Sequence, residues 1–288
     1  MRNRLTISIV AILAAAAAGV VNAPASAAVT IETGRFVWHD LMSRDPAKAI
    51  PFYRQLVGWT TREMDTDGGR LTIFSTGDTD VGDIVALDGA PGAPSHWTCY
   101  ISVDDVDAAV QTAESLGGQV LAAPTDTPPW GRVAGVKDAG GAFFRAFQGA
   151  GAPPEEAPAW PPKAGTFCWF ELLTPDVDQA ADFYQRVVGW RPEKAMEMPE
   201  GGNYYLFKRG EQNAAGMMRT PPEVPLPNWL PYIAVDDMAA TTARVAGLGG
   251  TVLVEPRQVP GTGEFSIIQD PAGAVVALFT AEPMPAGS

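Results

Sequence analysis

The chain has 288 residues, 46% of them hydrophobic and 18% charged, with a formal net charge of −13. Such a balance builds a packed core and sets aside intrinsic disorder. The acidic surplus argues against nucleic acid and anionic membrane as partners.

Residues 1–28 read as a cleavable Sec-type export signal. Arg2 and Arg4 give a basic start, Leu5 to Val21 is apolar and Ala-rich, and Ala25-Ser26-Ala27 offers a small-x-small cleavage site. A membrane anchor is the competing reading, but the run is barely long enough to span and no charged stop follows. No Cys lies near the cleavage point, and Asn3 interrupts the Arg pair, so neither a lipoprotein nor a twin-arginine signal is indicated. The mature chain is expected to be periplasmic or extracellular. Its roughly 260 residues suffice for two domains, each with its own core.

A 24-residue stretch, Phe36 to Trp59, recurs as Phe167 to Trp190 at a constant offset of 131, with ten positions identical. A fixed-offset repeat decides the fold class before any other reading. Phe36 to Met42 reads as a strand. Asp45 sits at an N-cap and Pro46 at the first helical position. Ala49, Phe52, Tyr53 and Leu56 fall at helical spacing, and Gly58 stops the helix. In the second copy Asp176 caps, Phe183, Tyr184 and Val187 form the stripe, and Gly189 stops it.

A second repeat follows each copy of the first. His96 to Gln148 aligns with Asn228 to Thr280 at an offset of 132. The strand Thr98–Val103 leads through Asp105 into a helix carrying Val106, Ala109, Val110, Ala113 and Leu116, which Gly117-Gly118 ends. Val120-Leu121, Arg132–Val136 and Ala142–Phe147 read as strands, the last two joined at Asp138-Ala139-Gly140-Gly141. Residues 29–150 thus form one domain and 164–281 the other. The Pro- and Gly-rich stretch 151–163 links them, and 282–288 is a tail. Cys99 and Cys168 are the only cysteines. They lie on strands of different domains, so free buried thiols are expected and a thiolate zinc site is not.

Four βαβββ modules in this order resemble the vicinal oxygen chelate superfamily, which includes glyoxalase I, extradiol dioxygenases, fosfomycin-resistance enzymes and bleomycin-binding proteins. The resemblance rests on Asp45…Phe52-Tyr53…Gly58-Trp59 with its echo Asp176…Phe183-Tyr184…Gly189-Trp190. It rests also on Val103-Asp104-Asp105, Gly117-Gly118 and the Asp138…Gly141 turn with their echoes Val235-Asp236-Asp237, Gly249-Gly250 and Asp270…Gly273. It implies an α+β fold: two glyoxalase/bleomycin-resistance-like domains, each pairing two modules around a cup. It also implies metal-ligand positions, which here fall at Trp38, Thr98 and Arg145 in the first domain and at Trp169, Leu230 and Ala277 in the second. None of these side chains ligates a metal, so no metal and no other cofactor is expected. His39 points away from the cup by strand parity.

Strand alternation names the cup linings. The first cup gathers Trp38, Asp40, His96, Tyr100, Phe143 and Arg145. The second gathers Trp169, Glu171 and Tyr232, and one of Tyr204 and Tyr205 faces a cup. A carboxylate among aromatics serves as a general base or as an anchor for a cation, or else it is tied to Arg145 in a salt bridge. His96, at a strand start beside Pro94, reads as a surface histidine or as a second catalytic group. Trp38 and Trp169 read as pocket floor or core. Two functions follow: a metal-independent, glyoxalase-like enzyme working in the first cup with Asp40 as base, or a non-catalytic protein sequestering a cationic aromatic compound. The expected partner is a small molecule, and the chain is expected as a monomer or homodimer.

Overall fold

The computed structural model describes residues 32–282 apart from 67–68, 88–91, 150–159, 199–201 and 223. The stretch read as an export signal, most of the expected linker and nearly all of the tail lie outside the described residues.

The first domain runs β1 (Phe36–Ser43), α1 (Pro46–Leu56), β2 (Thr60–Thr66), β3 (Gly69–Thr76), β4 (Thr79–Ala86), β5 (His96–Ser102), α2 (Val106–Ser115), β6 (Gln119–Thr127), β7 (Gly131–Lys137) and β8 (Phe143–Gly149). The second repeats it: β9 (Phe167–Thr174), α3 (Val177–Val188), β10 (Arg191–Glu197), β11 (Asn203–Arg209), β12 (Gln212–Arg219), β13 (Asn228–Ala234), α4 (Met238–Val245), β14 (Thr251–Val259), β15 (Gly263–Gln269) and β16 (Val275–Ala281). Residues 36–87 and 167–219 correspond element for element, as the repeat predicts.

Each helix starts on an aspartate whose carboxylate accepts a backbone N–H three residues on: Asp45 from Lys48, Asp105 from Ala108, Asp176 from Gln179 and Asp237 from Ala240. Such a cap is worth about 1 kcal/mol. The two modules of a domain merge into one eight-stranded sheet, ordered β2-β3-β4-β1-β5-β8-β7-β6 and β10-β11-β12-β9-β13-β16-β15-β14. The seam is the antiparallel pair β1–β5, or β9–β13. β4 and β12 lie parallel to β1 and β9.

The expectation of one private core per domain is not met. Helices α2 and α3 pack together, as do α1 and α4, each pair crossing between domains. One large cluster joins Ile101, Val110 and Phe144 to Phe183, Trp190, Phe207 and Trp229. The other joins Phe52, Trp59 and Phe74 to Ile233, Val245 and Leu278.

The repeated motif residues build this interface, and they do so reciprocally. Trp59 donates its indole N–H to the Gly165 carbonyl at 2.7 Å, and Trp190 donates to the Gly34 carbonyl at 2.9 Å. Each tryptophan thereby fixes the entry to the other domain's first strand. Gly34 is held at φ +79, and a Cβ there would stand 2.5 Å from the Trp190 indole nitrogen, so glycine is required. Tyr184 donates to Asp138 in the β7–β8 turn at 3.0 Å, while Tyr53 hydrogen-bonds Asp270 in the β15–β16 turn. Trp97 and Trp229 donate to Tyr53 and Tyr184. These polar groups are buried in an apolar interior, where an unmade bond costs about 1–3 kcal/mol.

With the helices sandwiched between the sheets, the two other sheet faces point outward. Leu230 (4% exposed), Ala277 and Phe279 lie on a face that no helix among the described residues covers, yet they are buried. The sheet must curl over them, which makes that face a cup. Both cysteines are free; Cys99 is buried as expected, whereas Cys168 is only half-buried.

Candidate functional site

The first cup is centred on Asp40, in the middle of β1. Tyr100 donates its hydroxyl to Asp40 Oδ2 at 2.7 Å. Arg145 brings its Nε to 3.3 Å from the same oxygen, and its guanidinium lies 5.3 Å from the centre of the Tyr100 ring. Register explains the convergence: Tyr100 pairs with Trp38 across the seam and with Arg145 on the parallel side.

A residue that the sequence reading missed completes the group. Asp83 on β4 is the direct parallel neighbour of Asp40. The Trp38 indole N–H and the Asp40 carboxyl both hydrogen-bond its side chain. Burial, and then the negative charge of Asp40, push the Asp83 carboxyl up to about 10. Asp83 therefore holds a proton at neutral pH, as two adjacent carboxyls must when they share one site. Burial pulls against the charge of Arg145, but its acidic neighbours outweigh burial and raise its pKa, so the guanidinium stays charged. His96 is half-buried and bonds the Pro94 carbonyl at 2.9 Å. Burial is the largest influence on it; together with Arg145 it outweighs the Pro94 carbonyl and Asp40 and lowers the pKa, so the ring is neutral. Phe143 and Phe147 stand beside Arg145 on β8, half-buried.

The second cup repeats this plan with different chemistry. Glu171 stands at the Asp40 position and accepts hydroxyls from Tyr204 at 3.2 Å and Tyr232 at 3.4 Å. Trp169 donates its indole N–H to Tyr204 at 3.3 Å, as Trp38 does to Asp83. The Asp83 position is Gly216, the parallel neighbour of Glu171. A Cβ there would meet the Tyr204 hydroxyl at 1.9 Å, so that phenol fills the place of the missing carboxyl. Tyr205 packs into the core instead. Ala277 replaces Arg145 as the neighbour of Tyr232. Among the described residues no cation pairs with Glu171, and burial pushes it up to about 7 against the pull of its two phenols. Trp160 lies tilted against Phe279, with ring centres 6.0 Å apart.

His39 faces the interior as parity predicts. It packs on Phe167 and Phe170, bonds the Val81 carbonyl, and burial lowers its pKa to about 4. A scan for Asp83 would have needed the pairing of β4 with β1, but a lone carboxylate inside Val81-Gly82-Asp83-Ile84-Val85 was a visible anomaly.

The donor set does not fit a metal. The positions that the resemblance assigns to metal ligands hold Trp38, Thr98 and the Arg145 guanidinium in one cup, and Trp169, Leu230 and Ala277 in the other. Among the described residues no three His, Cys, Asp or Glu side chains cluster as ligands.

Comparison with known proteins follows the same division into repeats. The model of the Glyoxalase/Bleomycin resistance protein/Dioxygenase superfamily matches residues 35–145 and again 166–278. A Mycobacterium bovis protein named "Putative glyoxylase CFP32" is 36% identical, over 85% of this chain and 94% of its own length. The anthracycline biosynthesis protein DnrV of Streptomyces peucetius is 32% identical, over 88% of this chain and 97% of its own. A Mn(II)-bound glyoxalase from Novosphingobium aromaticivorans shares the fold at a TM-score of 0.59 and 18% identity, covering 87% of this chain and 82% of its own.

Proposed function

The chain belongs to the glyoxalase/bleomycin resistance protein/dioxygenase superfamily, and from that premise we propose that it moves a proton on a small oxygenated aromatic molecule without a metal, using Glu171 as base. One observation carries the reading: a carboxylate on the cup face whose pKa burial pushes up to about 7, flanked by two phenols and, among the described residues, by no cation. A general base works best with a pKa near the ambient pH. Asp40, the base expected from sequence, is the weaker candidate because it is 2% exposed and tied to Arg145 and Tyr100.

The Glu171 carboxylate would take a proton from a carbon beside a carbonyl. The electron pair would pass to the carbonyl oxygen as an enolate, and Tyr204 and Tyr232 are near enough to Glu171 to turn their hydroxyls to it. Trp169 and Phe279 supply the aromatic wall. Relatives named for anthracycline biosynthesis make a hydroxylated polycyclic ketone the natural ligand class. The test is deuterium exchange at the carbon next to the carbonyl of 1-tetralone, followed by NMR. Exchange should rise with pH through about 7, and Glu171→Gln should lower it on the order of 100-fold or more. Equal exchange in the variant rejects the base. Saturable binding of the ketone without exchange favours sequestration, the non-catalytic alternative.

Stability offers an independent check. The folded Glu171 carboxyl has its pKa raised from 4.5 to about 7, so the folded chain binds the extra proton in that interval. Its contribution is complete below about 4.5 and is lost as pH rises through about 7. Glu171→Gln should therefore be more stable than the wild type above neutral pH, by on the order of 1–3 kcal/mol, and should lose that advantage near pH 4. Urea midpoints across pH measure it.

A further inference from the structure

We propose that the first cup is a second ligand site of opposite electrical preference, taking a planar aromatic molecule that bears an acidic oxygen: a phenol, an enol or an aromatic carboxylate. This goes beyond the Glu171 reading and does not depend on it.

The argument is about which charge a ligand meets. The Arg145 side chain is 24% exposed, whereas the Asp40 side chain beneath it is 3% exposed and Asp83 is 5% exposed. A molecule entering the cup reaches the guanidinium before either carboxyl. Asp83 carries a proton and Asp40 is already matched by Arg145, so an incoming oxygen anion meets no bare carboxylate. A cation would have to displace Arg145 first. This inverts the preference for cationic ligands that Asp40 suggests in the sequence.

The site is also polar beyond its own needs. Asp40 Oδ1, Asp83 Oδ1, Thr98 Oγ1 and Arg145 Nε are buried without a hydrogen-bond partner among the described residues; Nε is near enough to Asp40 for an ion pair but not aligned for a bond. Asp40 and Asp83 satisfy each other through their shared proton, which leaves Thr98 Oγ1 and Arg145 Nε; buried polar atoms are otherwise nearly always satisfied, so these two mark a place for a polar group. The Asp83 proton is already held by the Asp40 carboxyl, so the group open to a ligand is the Arg145 guanidinium, with the Thr98 hydroxyl beside it. A phenol or enol beside a carbonyl presents the complementary set. Arg145, stacked on Tyr100, presents a preorganised fork to such an oxygen.

The probe is 2-hydroxy-1,4-naphthoquinone, whose hydroxyl is ionised at neutral pH, with 1,4-naphthoquinone as the neutral control. Both are titrated against the full chain by tryptophan fluorescence. The hydroxyquinone should bind about 10-fold tighter or better, the size of one charge-assisted hydrogen bond. Arg145→Met alone strands a buried carboxylate, so the decisive variant is Asp40→Asn/Arg145→Met, which removes both charges; near-UV circular dichroism checks its fold. It should lose the preference, and Glu171→Gln should keep it. No preference in the wild type, or a preference that survives in the double variant, overturns the proposal. So does its loss in Glu171→Gln, which would seat the probe in the other cup. Failure of tetralone exchange touches only the second cup, so the two readings fail separately.

Discussion

Trp190→Ala is expected to destabilise the protein by about 3–5 kcal/mol, the range for removing a large buried aromatic, and to weaken both domains together. Trp190 is fully buried, stacks with Tyr184 and lies tilted against Phe207 of its own domain, and it reaches Phe36 of the other. Its indole N–H is the bond to Gly34 that anchors the entry to β1. Trp190→Phe keeps most of the packing and orphans only that carbonyl, so it should cost about 1–3 kcal/mol. Urea unfolding followed by fluorescence and by far-ultraviolet circular dichroism should give coincident curves for both variants. Two separated transitions, with the first domain unmoved by Trp190→Ala, would show that the clamp does not couple the domains.

Arg145→Met should cost about 3–5 kcal/mol near neutral pH, the usual penalty for leaving one member of a buried ion pair alone. Asp40→Asn added to it should recover much of the loss, because the stranded charge goes with the partner. The wild type has a pH dependence of its own from Asp83, whose pKa is raised from 3.8 to about 10. The folded chain holds a proton there that the unfolded chain releases. That contribution is complete below about 4 and is lost as pH climbs through about 10, so stability should decline towards alkaline pH. A cycle of the two single variants and the double variant in urea measures the coupling; strict additivity would mean that Asp40 and Arg145 do not interact.

What could be read from the chain was what periodicity and spacing encode. The helices from Pro46, Val106, Val177 and Met238 follow their Asp caps, and β1 and β9 follow alternation. The cup faces of Trp38, Asp40, Tyr100 and Arg145 came from parity along single strands, and the geometry brings those four together. What escaped depends on pairing between strands distant in sequence. Asp83 matters only because β4 lies parallel to β1, and no local pattern states that register. Tyr204 reaches Glu171 only because Gly216 leaves room. The Phe-Tyr and Gly-Trp motifs were legible as a fold signature, but their partners Asp138, Asp270, Gly34 and Gly165 sit in the opposite repeat. That is why a private core for each domain was expected and two shared cores are found.

The reciprocal tryptophan bonds make the chain an internal dimer, two copies of one unit joined covalently and packed through equivalent contacts. Its halves therefore meet at equal concentration whatever the dilution, and each covers an apolar face of the other. Identical subunits would also be bound to change both pockets with every substitution. Here the halves are encoded separately, so Arg145 and Asp83 could enter one pocket while Ala277 and Gly216 stayed small in the other. One set of packing contacts can thus support two chemistries, provided that the residues at the shared interface stay matched.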